Sequence, residues 1–201
     1  MTQTPPTGPD DAALAMPGWV VPNRAHGQNF LVDAALLDWE VNQAGIGPGD
    51  VVLEVGPGTG NLTRRLADAA GSVVAVEVDQ QFRPHLEALA QTRPNIRLVW
   101  GDATRVEWPP FNKVVANLPY KVALPLIFRF LENRLDAGLV IIQQELARRL
   151  CAEPGEAGYG AVTVALRRIA RFCLLRSVGS GAFNPPPEVE SAAVGFTPEP
   201  E

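Results

Sequence analysis

Short apolar runs alternate along this chain with stretches whose apolar residues recur at three- and four-residue spacing. That is the rhythm of buried strands and amphipathic helices. Asp33 is a predicted N-cap for a helix from Ala34 to about Gln43, with Leu36, Leu37 and Val41 as its stripe. Gly45, Gly47, Pro48 and Gly49 end it. Val51–Val55 reads as a central parallel strand, and Asn61–Leu66 has helical spacing after a glycine-rich turn. Val73–Glu77 is the second strand. Asp79 can cap a helix from Gln80 to about Thr92, and Ile96–Trp100 and Lys113–Ala116 are the third and fourth strands. Beyond Tyr120, Leu124, Ile127, Phe130 and Leu131 mark a helix face, which requires Pro125 to lie in the first turn. Leu139–Ile142 is the fifth strand. Glu145–Cys151 and Tyr159–Ile169 read as helices. Arg171–Val178 and Ala192–Phe196 are the last two strands, with a stiff extended loop, Phe183–Pro187, between them.

The alternation predicts an α/β fold of the doubly wound, Rossmann-like kind. Its central sheet is seven-stranded and mostly parallel with one antiparallel strand, and helices cover both faces. Residues 1–22, punctuated by Pro5, Pro6, Gly8, Pro9, Pro17 and Gly18, are expected to be a disordered tail. Residues 23–198 are expected to form one domain, with no separate C-terminal domain.

The strand ends carry the candidate chemistry, since open α/β sheets bind ligands there. Glu54-Val55-Gly56-Pro57-Gly58-Thr59-Gly60 allows tight turning and close approach of a ligand. The dinucleotide fingerprint needs its third glycine at position 61, which is Asn61. Glu77 ends the second strand, where a carboxylate can accept ribose hydroxyls. Asp102 follows the third, where it can accept an adenine amino group. Asn117-Leu118-Pro119-Tyr120 follows the fourth and offers acceptors and a ring to a flat, amine-bearing group.

Composition changes the picture in two places. The net charge of −5 sits poorly with a protein that grips a polyanion, because lysine and arginine supply most non-specific nucleic-acid affinity. Arg148, Arg149, Arg167, Arg168, Arg171 and Arg176 do cluster late in the chain, either as a binding face or as a solvated helix face. Cys151 and Cys173 are expected to be free thiols in a reducing cytoplasm. No apolar run is long enough for a membrane span, and no metal-ligand set stands out. Trp19, Trp39, Trp100 and Trp108 have no stacking-platform spacing and are expected to serve packing.

The glycine turn resembles the first motif of S-adenosylmethionine-dependent methyltransferases, and with Asn117–Tyr120 the chain resembles those acting on adenine N6. Gly27–Asp33, Gln143-Gln144-Glu145 with Arg148, Tyr159-Gly160 and Phe183–Ser191 are similar, in order, to motifs of the ribosomal RNA adenine dimethyltransferases. Gly27, Asn117–Tyr120 and Tyr159-Gly160 resemble the small-subunit dimethyladenosine transferases more than the erythromycin-resistance methylases. The resemblance implies S-adenosylmethionine as cofactor. Gln28, Asn29 and Leu31 would close over its amino-acid end, with Gly56 and Gly58 below. Glu77 would hold the ribose, Val78 would pack on the adenine, and Asp102 and Ala103 would read its edge. Asn117, which would also adjoin the cofactor, and the Leu118 carbonyl would hold the target amine. Pro119 belongs to the same motif, and Tyr120 and Phe183 would stack on the flipped base. The implied partner is ribosomal RNA in an immature small subunit, met by a cytoplasmic monomer. Large-subunit adenine, an amine on another molecule, and a homologue that binds without turnover remain the alternatives.

The sequence also departs from the family. The family's helical C-terminal domain is not expected after the last strand. Arg24 and His26 are the only basic residues left just before Gly27. Gln144 and Glu188 stand where lysines are usual, and Lys121–Pro125 lacks the usual small hydroxyl residue.

Overall fold

The computed structural model describes residue 14, residues 16–23 and residues 27–199. The expectations for residues 1–13 and for Arg24 and His26 lie outside these. Chain order gives β1 (Phe30–Leu31), α1 (Ala34–Gln43), β2 (Val51–Val55), α2 (Asn61–Ala69), β3 (Ser72–Glu77), α3 (Arg83–Thr92), β4 (Ile96–Trp100) and β5 (Lys113–Asn117). There follow α4 (Ala123–Leu131), β6 (Ala137–Gln143), α5 (Gln144–Cys151), α6 (Ala161–Arg167), β7 (Ala170–Val178), β8 (Phe183–Asn184) and β9 (Ser191–Pro198).

The seven-stranded sheet runs β4-β3-β2-β5-β6-β9-β7. The pairings from β4 to β6 are parallel. β9 is antiparallel to both β6 and β7, so it is the one reversed strand. Val52, Leu53, Val73–Val76 and Val114–Ala116 are buried on both sheet faces, as expected of strands covered by helices on either side. One core lies under α4 and α5, centred on Leu126, Ile127, Phe130 and Leu150. The other lies under α1 and α2, centred on Leu37, Leu62 and Leu66. Both come from apolar stripes at helical spacing.

Asp33 caps α1 by accepting from Leu36 N at 3.0 Å, and Pro125 sits in the first turn of α4. The helix expected from Gln80 begins as a 3-10 turn over Gln80–Phe82, capped by Asp79, and becomes α-helical at Arg83. The helix expected over Tyr159–Ile169 is confined to Ala161–Arg167. Gly158 and Gly160 delay its start, and Val162, Thr163 and Val164 give it a stiff, β-branched body.

Two further features differ from expectation. The tail does not extend to residue 22, because Val20 is buried against Phe82 and Leu86. The Trp19 ring meets Phe82 edge-on at 6.1 Å. Proline and glycine at 17 and 18 shape this as an ordered turn rather than a loose segment. The stretch at Phe183 is not wholly loop either. β8 pairs antiparallel with β1 as a separate two-stranded ribbon, Leu31 opposite Phe183. Strands of two residues are too short to show alternation in a sequence.

Candidate active site

The carboxyl ends of β2, β3, β4 and β5 open on a cavity of about 330 Å³. That lies within the ordinary range for small-molecule sites. Its wall brings together Gln28, Asn29, Gly56, Gly58, Glu77, Val78, Asp102, Ala103, Asn117, Leu118, Pro119, Tyr120 and Phe183. Of the residues given a cofactor or substrate role from the sequence, Leu31 alone is outside this wall. Its side chain is buried in the core under α1, and its carbonyl accepts from Asn61 Nδ2 at 3.2 Å.

The glycine turn is shaped by backbone that side chains resist. Gly56, Gly58 and Gly60 have φ of 76°, 52° and 74°. A Cβ on Gly58 would lie 2.8 Å from the Phe30 ring, so β1 is held against the turn only because position 58 has no side chain. Glu77 fixes the turn from the other side. Its carboxylate accepts from Gly58 N at 3.0 Å, Val78 N at 2.9 Å and Asp79 N at 2.8 Å. Burial nevertheless raises its pKa, because desolvation outweighs these three bonds. Val78 is exposed beside it and presents an apolar surface to the cavity.

Gln28 closes the near side. Its Nε2 donates to Asp79 Oδ2 and its Oε1 accepts from Asn23 N, both at 2.8 Å. Asp102 accepts through Oδ1 from Thr104 N at 2.9 Å and Thr104 Oγ1 at 2.7 Å. These bonds lower its pKa. The loop that carries it is anchored by Arg129 of α4, which donates to the carbonyls of Ala103 and Val106 and lies over the Trp108 ring at 4.0 Å.

At the other end of the cavity, Asn117 closes β5 and Leu118 N donates to Ile141 O at 3.1 Å. Asn117 Oδ1 is buried and has no hydrogen-bond partner. Tyr120 OH and Ser191 Oγ share a hydrogen bond of 2.6 Å, which ties the motif to the start of β9. Burial raises the Tyr120 pKa; the Ser191 bond opposes this and Glu190 adds to it. Phe183 is buried and edges the cavity from the β1–β8 ribbon.

Two buried acids lie behind this wall. Glu54 has a pKa raised to about 8 by burial, lowered in part by Thr63 and raised further by Glu77. Glu40, on the buried face of α1, is likewise raised to about 8 by burial, with Asn117 opposing and Glu54 adding. Glu54 is legible as the acid before the glycine turn. Glu40 was not singled out, although an acid three and four residues after Leu37 and Leu36 falls on the apolar stripe.

All six late arginines are exposed. Arg167 pairs with Glu153, Arg171 with Glu199, and Arg176 lies 5.0 Å over Trp39. Cys151 and Cys173 are both free.

A reversed strand beside the edge of a parallel sheet, with a glycine turn and acids at successive strand ends, defines a Rossmann-like fold of the class I methyltransferase type. The solved structures most similar to it include a Plasmodium falciparum dimethyladenosine transferase, with a TM-score of 0.77, 32% identity, and coverage of 83% of this chain and 62% of that one. The 23S rRNA methyltransferase ErmE aligns with a TM-score of 0.78 and 30% identity, over 86% of this chain and 71% of its own. A family model described as Ribosomal RNA adenine dimethylase matches residues 22–201, and the chain belongs to that family. A Thermococcus gammatolerans relative named "Probable ribosomal RNA small subunit methyltransferase A" is 41% identical over 180 residues, 90% of this chain and 64% of the relative. The chain thus spans about 64% of the length of that relative.

Proposed function

We propose that this chain methylates the N6 amine of adenosines in small-subunit ribosomal RNA, to the dimethyl level, with S-adenosylmethionine as donor. The observation that carries the reading is the buried Asn117 Oδ1, an acceptor without a partner, at the end of a cavity whose other end is glycine turn and carboxylates. A buried acceptor left unpaired costs stability unless something fills it, and an amine N–H does so.

The residues present fit the cofactor. Glu77 uses one oxygen for Gly58 alone, and a carboxylate oxygen can accept more than once, so room remains for a ribose hydroxyl. Val78 offers apolar cover for a purine. Asp102 and Ala103 face the purine edge; Asp102 Oδ2 takes no part in the Thr104 bonds and meets the exposed Arg105 Nε at 3.6 Å, which leaves it capacity to accept. Gln28 and Asn29 border the amino-acid end, and Leu31 acts through the carbonyl that orients Asn61. When bound, S-adenosylmethionine supplies a methyl group already activated by a cationic sulfonium.

The chain's own residues then have to position the amine. Asn117 Oδ1 and the Leu118 carbonyl accept its two N–H groups, which draws nitrogen toward tetrahedral geometry and frees the lone pair. Tyr120 and Phe183 hold the base ring, and Pro119 fixes the turn between them. Positioning of this kind supplies most of the rate in an in-line displacement. Residues 23–198 carry the catalytic unit in this reading. In this reading the protein works as a cytoplasmic monomer on immature small subunits; the names of its relatives support the small-subunit RNA alone.

Labelled-methyl transfer to small subunits from cells lacking N6-dimethyladenosine tests this directly, with the product nucleotide mapped. Label on adenosines of small-subunit RNA is the expected result. Label confined to large-subunit RNA, or none despite cofactor binding by calorimetry, would overturn it.

A further inference from the structure

Glu40 is wholly buried on α1, where Leu36 and Leu37 hold the same face, and an apolar residue would serve the core better. Its Oε2 lies 3.5 Å from Asn117 Nδ2, a long bond of the sort that tightens when a site is filled. Its Oε1 has no partner. The charge acting on it is another carboxyl, Glu54, so no salt bridge explains its burial. What it touches is the amide at the amine end of the cavity.

An asparagine amide has an accepting side and a donating side of nearly equal shape. Only one orientation serves the reaction: Oδ1 toward the amine and Nδ2 away from it. A carboxyl oxygen behind the amide selects that orientation, because it accepts from Nδ2. An aliphatic side chain there would leave both orientations open. We propose that Glu40 is a positioning residue for methyl transfer, holding the Asn117 amide so that Oδ1 faces the target nitrogen. This deepens the functional reading above and rests on it. Burial keeps Glu40 a neutral acid near neutral pH; with the proton on Oε1, which does not face the amide, Oε2 is the carbonyl oxygen that accepts from Nδ2. Glutamine reproduces that oxygen; leucine and methionine do not.

The test compares Glu40→Gln, Glu40→Leu and Glu40→Met with the parent, using S-adenosylmethionine and unmethylated small subunits. The apolar variants are expected to lose roughly tenfold or more in kcat, as misplaced reacting groups do, while KM and cofactor affinity stay within about twofold. Glu40→Gln should restore most of the lost rate. A purely structural role would instead move melting temperature, affinity and rate together. Full activity in Glu40→Leu, or a Glu40→Gln as slow as Glu40→Leu, would overturn the proposal. The Asn117 side-chain amide, read by ¹⁵N NMR, gives a readout independent of turnover. It should be exchange-protected in the parent and in Glu40→Gln, which keeps the test alive even where an apolar variant fails to fold. An unprotected amide in the folded parent would also overturn the proposal. A parent that transfers no methyl while its amide is protected would defeat the functional reading and leave the contact standing.

Discussion

The two ends of the cavity are built on opposite plans. At the glycine-turn end the polar groups are already engaged: Glu77 accepts three backbone N–H groups, Gln28 is bonded at both ends of its amide, and Asp102 accepts twice from Thr104. At the Asn117 end the key acceptor is left open. The first arrangement holds a shape before any ligand arrives. The second keeps its hydrogen-bonding capacity for the reacting group. A site that binds one partner and reacts with another needs both, because interactions realised only at the reacting centre raise turnover rather than affinity.

Removing the open acceptor should therefore have a large effect, confined to turnover. Asn117→Ala is expected to lower methyl transfer by about 10²–10³, the scale seen when a donor or acceptor is removed from a reacting centre. Cofactor affinity measured by calorimetry should change little. An equal loss of affinity would erase the distinction between the two ends. Glu77→Ala should show the reverse pattern. It strips three backbone partners as well as the cofactor acceptor, so cofactor affinity should fall by roughly 10–100-fold, about 1–3 kcal/mol. Melting temperature should fall with it.

A third expectation concerns the acids behind the wall. Glu40 and Glu54 hold protons in the folded state up to about pH 8, whereas in the unfolded chain they lose them near the ordinary value of 4.5. The folded state thus binds more protons between those limits. Stability from this source is full below about 4.5 and declines as pH rises toward about 8. The slope cannot exceed about 1.4 kcal/mol per pH unit for each group, and mutual coupling of the two acids spreads it. Denaturant unfolding of the parent and of Glu40→Gln over that range measures it; identical pH slopes would show that Glu40 titrates alike in both states. The smallest effect is expected from Tyr120→Phe, which keeps the ring and loses the bond to Ser191, for about 1 kcal/mol of stability. Tyr120→Ala, which removes the ring, should by contrast abolish turnover.

The central strands were legible because Val51–Val55, Val73–Glu77 and Ile96–Trp100 are continuous apolar runs closed by polar punctuation. The cavity wall was legible for the same reason, since its residues sit where those runs stop. Glu40 was not, because it lies inside a helix pattern that counts apolar positions and passes over the polar one among them. The β1–β8 ribbon escaped because its pairing spans more than a hundred and fifty residues of chain and neither strand has a local period. Leu31 shows the limit of motif reasoning: it belongs to a cavity-lining segment, yet the register of that ribbon turns its side chain into the core.

The position of β9 sets an order of events in time. It is the last of the described strands, yet it lies between β6 and β7, inside the sheet. β7 therefore has no neighbour until residues 191–198 have been synthesised, and an emerging chain carries two unfinished borders rather than one. The same strand begins at Ser191, the partner of Tyr120. The strands that hold the glycine turn and its acids can pair early, whereas the aromatic wall gains its tether only when the sheet closes.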